Sequence, residues 1–367
     1  MSVDEQQSVL WLNRLTGHDV RLFRRLVGVF GSALGLFESV AAGRTEALEG
    51  FDPALVNRMK ESASGKKIRE YLAWLRTRSI EAIPITDPRY PTLLKEIYDP
   101  PSVLFVRGEL RPEVTLPLAM VGARTCTQYG REVAGALAGA LCEAGACIVS
   151  GLAHGIDSIG ALAALSVESN DYPTVAVLGC GVDVVYPKEQ QRLYEQIARR
   201  GAVISEFFPG TRPYASNFPM RNRIISGLSR GVIVVEAGEK SGALITANCA
   251  LEQGRDVYSV PGRITDSMSL GTNRMIREGS AKPVFTVNDI LEEYGYSLEY
   301  RPIRAAVDLS ALDPGQKTIV ELLKADARSF DELCELTGIG AAELNSTLTS
   351  LEFSEIIKQL PGRVYCL

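Results

Sequence analysis

Residues 116–151, LPLAMVGARTCTQYGREVAGALAGALCEAGACIVSG, are the stretch that decides the fold. Leu116–Val121 is an unbroken apolar run of strand length, and Ala146–Val149 is a second one. Between them, Gln128–Ala144 has the length and the apolar spacing of an amphipathic helix. Two strands that are apolar on both faces and joined by a helix are typical of a parallel βαβ unit.

The same alternation continues to about residue 290. Further strands are predicted at Thr174–Leu178, Ala202–Ser205, Gly231–Val235 and Asp256–Val260, and further helices at Gly155–Leu165, Lys188–Arg200, Met220–Leu228 and Ser241–Gln253. This pattern predicts an α/β protein with an extended Rossmann-like, doubly wound and mainly parallel sheet. Such sheets bind ligands at the carboxyl ends of their strands, so we expect functional residues in the strand-to-helix loops.

Other segments flank this region, and a chain of 367 residues is long enough for several domains. Residues 1–80 have helical apolar spacing, and the part 23–39 resembles SAM-like or helix-hairpin-helix modules, although a plain helical packing domain fits the spacing equally well. We assign residues 81–296 to the Rossmann-like domain and residues 297–314 to a linker. The last segment, 315–367, predicts three helices and a terminal hairpin, which together describe a winged helix.

The composition is that of an ordinary globular protein, with 46% apolar and 23% charged residues. No apolar run approaches the roughly 18 residues of a membrane span, and Met1–Gln7 lacks the basic stretch that begins a secretory leader. We therefore expect a cytoplasmic protein without a membrane partner. The net charge of −5 requires any phosphate-binding surface to be a local cluster of basic residues.

The cysteines and histidines do not predict a metal site. The seven cysteines are scattered, and the two histidines are His18 and His154. A structural zinc site needs about four closely arranged ligands, so we expect no metal and reduced thiols.

The loop after the first strand contains Gly122 and Arg124. A dinucleotide fingerprint would need GxGxxG here, so NAD or FAD is not expected and no cofactor is predicted. Gly122 allows close approach of a ligand, and Arg124 at a helix N-terminus suits a phosphate. An ion pair of Arg124 with a local carboxylate is the alternative.

The loop Ser150–Asp157 has two glycines, and the backbone amides around Ser150 and Gly151 can form an anion-binding concavity. Asp157 near the start of the next helix is as well explained by a capping role. His154 has no evident nucleophile or relay in the sequence and is not predicted to be catalytic.

The segment 218–228, FPMRNRIISGL, is the most informative loop. Arg221, Asn222 and Arg223 follow Pro219 in the first turns of a predicted helix, where the helix dipole favours anions. Phe218 stands before them, and basic groups beside an aromatic ring are the arrangement that single-stranded nucleic acid requires. The alternative, equally weighted, is that Phe218 is core and that the arginines pair with Glu206 or Glu236.

A further strand-to-helix turn contributes Lys240 and Ser241, without the GxxxxGK[ST] of a Walker A loop. Nothing in the sequence suggests a Ser/His/Asp arrangement or a pair of carboxylates in a cleft. Several loops that could bind an anion, without a nucleophile or a general base, indicate binding rather than catalysis. We therefore predict no catalytic residue and no enzymatic activity.

These loops, in this order, resemble the DNA processing protein A (DprA/Smf) family. The shared motifs are Asp99-Pro100-Pro101 with Leu104-Phe105, Val121-Gly122-Ala123-Arg124, Ser150–Asp157, Gly179–Asp183 with Tyr186-Pro187, Phe218–Leu228, Ser241–Ala247, Val260-Pro261-Gly262 and Gly271–Asn273. One departure is Ser158-Ile159-Gly160, which stands where the family often has an Ala-His pair.

The resemblance implies a homodimer that binds and protects single-stranded DNA and helps to load RecA recombinase during natural transformation, in competence. By motif match, Arg124, Phe218, Arg221 and Arg223 would line the DNA pocket, with Lys240 less certain. The terminal domains correspond to the accessory domains of the family.

Two other functions remain open. Rossmann-like nucleotide-processing hydrolases carry a Pro-Gly-Gly-x-Gly-Thr loop, and this chain has Val260-Pro261-Gly262-Arg263 instead. A duplex-DNA regulator would act through the winged helix, but the helix Ala341–Leu351 contains no Lys or Arg.

Overall fold

The computed structural model describes residues 3–297, 312–325, 327–354, 356–360 and 362–366. The chain divides into two compact units, Met1–Ile303 and Arg304–Leu367. Most of the predicted linker, residues 298–311, lies outside the described residues.

The elements are as follows. The helices of the first unit are Glu5–Thr16 (α1), Val20–Phe30 (α2), Ala33–Ala41 (α3), Pro53–Ser62 (α4), Gly65–Arg76 (α5), Thr92–Lys95 (α6), Gln128–Glu143 (α7), Ile156–Ser166 (α8), Gln191–Arg200 (α9), Asn217–Gly227 (α10), Gly242–Glu252 (α11), Leu270–Arg277 (α12) and Asn288–Leu291 (α13). Its strands are Glu81–Pro84 (β1), Val103–Gly108 (β2), Leu116–Val121 (β3), Ala146–Ser150 (β4), Thr174–Val177 (β5), Ala202–Ser205 (β6), Gly231–Val234 (β7), Asp256–Ser259 (β8) and Lys282–Pro283 (β9). The second unit contains Pro314–Ala325 (α14), Arg328–Ser329 (β10), Phe330–Thr337 (α15), Ala341–Phe353 (α16), Lys358–Leu360 (β11) and Val364–Cys366 (β12).

Within the described residues, β1 to β9 form one sheet in the order β1-β2-β6-β5-β4-β3-β7-β8-β9. The seven neighbouring strands β6-β5-β4-β3-β7-β8-β9 pair in parallel, whereas β2 pairs antiparallel with both β1 and β6. The predicted Rossmann-like, doubly wound and mainly parallel sheet is therefore confirmed. The sequence patterns did not predict β1, β2 and β9. β1 and β9 are the edge strands, and β2 lies next to β1.

The chain reverses direction across the sheet between β3 and β7. From β3 it winds outward through β4 and β5 to β6, and it then returns to β7 on the other side of β3. The loops that leave β3 and β7 turn away from each other at this switch point, and the crevice between them is where a doubly wound sheet binds ligands.

Hydrogen bonds fix the loops around this crevice. The Ala123 amide donates to the Glu236 carbonyl at 2.9 Å, and the Ile156 amide donates to the Ala123 carbonyl at 3.2 Å. Gly155 sits at φ +75°, and a Cβ there would lie 2.2 Å from the Ala123 carbonyl oxygen. Only glycine allows the loops after β3 and β4 to approach so closely.

The N-terminal helices α1 to α5 pack directly on one face of the sheet. Trp11 and Leu12 of α1 share a buried apolar cluster with Phe105 of β2 and Val203 of β6. Val182 in the loop after β5 belongs to the same cluster. The helices are thus continuous with the core of the first unit and close to one of its functional loops.

The second unit has the winged-helix arrangement of helices and a small sheet, in the order β10-β12-β11. Ser329 and Glu332 form a capping box at the start of α15, and Gly338 ends that helix in the left-handed conformation. Its apolar core, which includes Ile319, Leu333 and Leu348, is separate from the cores of the first unit. No described helix has the length and the hydropathy of a membrane span.

Candidate nucleic-acid interface

A cleft of about 430 Å³ opens at the switch point of the sheet. Its walls come from the loop after β3, from the start of α10 and from the start of α11. A neighbouring recess of about 380 Å³ shares Arg124, Tyr186, Phe218 and Arg221 with it. The two cavities form one groove along the carboxyl ends of the strands.

Arg124, Phe218 and Tyr186 form a cluster at the junction of the two cavities. The Arg124 guanidinium lies 5.8 Å from the centre of the Phe218 ring, and the Phe218 and Tyr186 rings are 5.5 Å apart at 39°. Arg124 is exposed and, among the described residues, has no carboxylate within 4.0 Å. This is a free cation beside two aromatic rings, one half-buried and the other 39% exposed.

Helix α10 begins at Asn217, so the predicted start at Met220 is three residues late. The reason is that Pro219 lacks an amide hydrogen and is tolerated within the first turn, where amides have no helical partner. Phe218 consequently projects from the helix itself. A Cβ on Gly179 would lie 2.9 Å from its ring, so the glycine after β5 makes room for the ring.

Arg221 is buried below the cluster rather than exposed to solvent. Its guanidinium donates to the Gly151 carbonyl at 2.8 Å and to the Val177 carbonyl, and burial lowers the pKa of Arg221 to about 10. The residue therefore ties the loop after β4 to the end of β5. Its charge also stabilises Asp157, whose pKa is raised by burial despite that effect.

Backbone amides of the loop Ser150–Asp157 form their hydrogen bonds within the loop itself. The Asp157 carboxylate accepts hydrogen bonds from the amides of Gly151 (2.9 Å) and Ala153 (3.4 Å), so these amides do not face the groove as an open anion site. A Cβ on Gly151 would lie 2.4 Å from the Arg221 guanidinium. Ser150 is fully buried, and its hydroxyl has no partner among the described residues.

Arg223 points to a different side of α10 and pairs with two carboxylates. Its Nη2 is 2.5 Å from Glu206 Oε2, and its Nε is 3.0 Å from Asp99 Oδ2. Burial raises the pKa of Glu206, and Arg223 opposes that rise. The alternative pairing of an arginine with Glu206 thus holds for Arg223.

Glu236 does not pair with either arginine. Its carboxylate accepts hydrogen bonds from the amide (2.9 Å) and from the hydroxyl of Thr127, which in turn caps α7. A Cβ on Gly130 would collide with this carboxylate. Glu236 therefore holds the start of α7 beside β7.

The remaining predicted residues lie along the rim and floor of the cleft. Gly122 borders it, and a Cβ there would lie 2.5 Å from Ile156. Asn222 donates to the Gly242 carbonyl at 3.4 Å, and Ser241 caps α11. Lys240 is exposed and has no ion pair among the described residues.

The structure thus brings Gly122, Arg124, Phe218, Arg221, Asn222 and Ser241 to the cleft and directs Arg223 away to Glu206 and Asp99. Tyr186 was not predicted as a site residue. The sequence does show Tyr186-Pro187 at the end of the loop after β5, but it does not show that the Tyr186 ring lies beside Phe218.

Comparison with known proteins identifies the family. Residues 81–295 match the family model described as DNA recombination-mediator protein A, and residues 304–363 match the DprA winged helix domain. The chain belongs to the DprA family.

Relatives in the DprA family align over much or all of the chain. A DNA processing protein DprA from Bacillus subtilis is 44% identical over 62% of this chain and 75% of its own length. Protein Smf from Escherichia coli is 38% identical over 81% of this chain and 80% of its own. Protein Smf from Synechocystis is 31% identical over 100% of this chain and 99% of its own.

Two solved DprA structures share the fold. The X-ray structure of DprA from Streptococcus pneumoniae has a TM-score of 0.66 and 34% identity, and it covers 81% of this chain and 100% of its own. A structure of DprA from Helicobacter pylori, described for its single-stranded DNA binding mode, has a TM-score of 0.53 and 27% identity over 58% of this chain and 94% of its own.

Proposed function

We propose that this DprA family member is a recombination mediator that binds single-stranded DNA in the groove at the carboxyl ends of its strands. The observation that carries the proposal is the cluster of Arg124, Phe218 and Tyr186. A free guanidinium binds a phosphate, and two adjacent rings provide surfaces on which unpaired bases stack.

The charges around the groove support this proposal. Lys188 borders the recess beside Tyr186, and the exposed Lys240 lies at the turn before α11, the helix whose start lines the cleft. The buried carboxylates Asp157 and Glu236 are engaged by loop amides and by Thr127. A polyanion in this groove meets Arg124 and Lys188, which are free cations among the described residues, while the exposed Glu189 carboxylate lines the recess beside His154.

We assign the remaining predicted DNA-binding residues positioning roles. Arg221 and Gly151 shape the floor beneath Phe218, and Asn222 and Ser241 fix the start of α11. Arg223 orients α10 through Glu206 and Asp99. Asp157 and Glu236, the buried carboxylates beside the groove, hold structural hydrogen bonds, which supports binding without chemical change to the DNA.

Three finer parts of the proposal follow from the family rather than from the groove. The protein acts as a homodimer in the cytoplasm, it protects incoming single strands, and it helps to load RecA during natural transformation. Formation of RecA filaments on strands coated with single-strand-binding protein, measured with and without this protein, tests the loading step. Light scattering over a range of concentrations tests the dimer.

The binding proposal is tested by fluorescence anisotropy with a labelled oligo-dT strand and the matching duplex. Wild type should prefer the single strand. Arg124→Ala should weaken single-strand binding at least about tenfold, because a charge-assisted phosphate contact contributes roughly 1.5–3 kcal/mol. The slope of log K against log salt should become shallower by about 0.7.

The matched control is Arg199→Ala. Arg199 is also an exposed arginine without an ion pair among the described residues, but it lies in the last turn of α9, before the amino end of β6. Its loss should leave affinity and salt slope unchanged. Equal effects of the two substitutions would contradict the assignment of DNA to the groove.

A further inference from the structure

A second basic and aromatic surface lies on the N-terminal helices. It consists of Arg14 near the end of α1, Lys67, Tyr71 and Trp74 on α5, and Arg78 just beyond α5, and we call it the α5 patch. None of these residues lines the groove described above.

Stacking holds the arginines of the patch in fixed positions. The Tyr71 and Trp74 rings lie 5.7 Å apart at 16°. The Arg14 guanidinium is 4.2 Å from the centre of the Tyr71 ring, and that of Arg78 is 4.1 Å from the centre of the Trp74 ring. A stacked guanidinium uses its flat face and keeps its N–H groups free for phosphates.

The charge of the patch contrasts with that of the protein. Residues 60–78 contain six Lys and Arg and two Glu in a chain of net charge −5. Among the described residues, neither Arg14 nor Arg78 has a carboxylate within 4.0 Å, and Lys67 donates to the Glu61 carbonyl rather than to a carboxylate. The local potential is therefore positive, which favours a polyanion.

A recess of about 240 Å³ opens beside these side chains. Leu15 and Ile68 make part of its wall apolar, and Arg14, Lys67 and Tyr71 also line it. The Tyr71 hydroxyl is buried without a hydrogen-bond partner among the described residues, and burial raises the pKa of Tyr71 to about 12, so the hydroxyl stays protonated. The recess therefore combines an apolar wall with two cations, a lining that fits the apolar face and the phosphate of a nucleotide.

The loop after β5 connects the patch to the groove. Val184 and Val185 of this loop pack against the same buried apolar cluster as Tyr71 and Leu72 of α5. Tyr186 of the groove is the next residue after Val185, and Asp183 is the residue before Val184. Asp183 is the acidic group on this path, and its carboxylate accepts a hydrogen bond from the Gly210 amide at 2.7 Å.

We propose that single-stranded DNA leaving the groove past Tyr186 continues onto the α5 patch, where Arg14 and Arg78 bind its phosphates and a base packs against the exposed part of Trp74. This inference rests on the proposed function, because the groove is where the strand starts. It makes the N-terminal helices part of the DNA site and lengthens the bound strand.

Tryptophan fluorescence tests the proposal in the full-length protein. The chain has two tryptophans, Trp11 and Trp74, which are 3% and 37% exposed. A dT strand of about 20 nucleotides should quench the emission of Trp74, and a strand of about 6 nucleotides, which fills only the groove, should not. Trp74→Phe, which keeps an aromatic ring, should abolish the quenching and keep the affinity.

The double substitution Arg14→Ala/Arg78→Ala should lower the affinity for the long strand about tenfold, leave the short strand unaffected and flatten the salt slope of the long strand by about 1.4. The matched control is Arg24→Ala/Arg25→Ala on α2. These guanidiniums also lie over rings, at 5.8 Å from Tyr98 and 4.4 Å from Phe51. The control should bind both strands like wild type.

The outcomes separate this inference from the proposed function. Tight binding of both strands without quenching, or an equal loss in the two double variants, would overturn the α5 patch and leave the groove in place. A loss of short-strand affinity in Arg14→Ala/Arg78→Ala would also overturn it. Failure of wild type to bind either strand would remove both proposals.

Discussion

At the scale of single residues, the arginines of the 218–228 segment have different roles. Arg221 is buried against loop carbonyls, Arg223 pairs with Glu206 and Asp99, and Arg124 from another loop is the free cation. Arg221 and Arg223 are close together in the sequence, yet side chains at positions i and i+2 of a helix point in very different directions. Side-chain partners from distant loops decide which arginine remains available, and spacing along the chain does not reveal them.

Arg221→Ala should lower the free energy of unfolding by about 3–5 kcal/mol, because it leaves the buried Asp157 carboxylate without its nearby cation. Arg124→Ala, at an exposed position, should change it by less than about 0.5 kcal/mol. Urea denaturation of the two variants measures the difference. Equal stability of both would show that Arg221 does not hold the loops together.

Glu206 predicts a pH dependence. Burial raises the pKa of Glu206 above its ordinary value of 4.5, so the folded protein binds this proton more tightly than the unfolded chain does. The stability that comes from this proton is complete below about pH 4.5 and is lost as the pH rises through the folded-state pKa. The unfolding free energy of wild type minus that of Glu206→Gln should therefore fall as the pH rises above about 4.5. If wild type instead gained stability relative to Glu206→Gln with rising pH, the raised pKa would be contradicted.

At the scale of elements, the central strands and the helices between them were predictable, because β3 to β8 are buried on both faces and read as apolar runs. The edge strand β1 and its neighbour β2 were missed. β1 begins at the exposed Glu81, and β2 ends with Arg107 and Gly108, so neither is apolar throughout. The start of α10 was placed late, because the proline inside its first turn looks like the boundary.

Gly155 tests how the loops are held. Gly155→Ala should lower the free energy of unfolding by at least about 1–2 kcal/mol from the left-handed backbone alone, with the contact at the Ala123 carbonyl adding to it. Gly139→Ala in α7, where a Cβ meets nothing within 4 Å, should instead raise stability by about 0.5–1 kcal/mol. Thermal denaturation compares them, and a loss of stability in Gly139→Ala equal to that in Gly155→Ala would rule out the steric explanation.

At the scale of the whole molecule, the described part of this acidic protein combines free arginines with aromatic rings in the groove and again in the α5 patch. The loop after β5 links them, since Val182 packs with the N-terminal helices and Tyr186 stacks with Phe218. The sequence predicted that basic groups must converge locally, and it predicted the strand ends as one location. It could not predict the second, because α5 and the loop after β5 are about a hundred residues apart and meet only in the folded chain.

The measurement that most directly tests the central claim is photocrosslinking of an oligo-dT strand carrying 5-iododeoxyuridine, followed by mass spectrometry of the adducts. An iodouracil stacked on an aromatic side chain crosslinks to it, so we predict adducts on Phe218 or Tyr186 whose yield, at protein concentrations below Kd, falls about tenfold in Arg124→Ala and is unchanged in Arg199→Ala. Adducts confined to residues 312–366, with none in the groove, would contradict the account and move the DNA site to the winged helix.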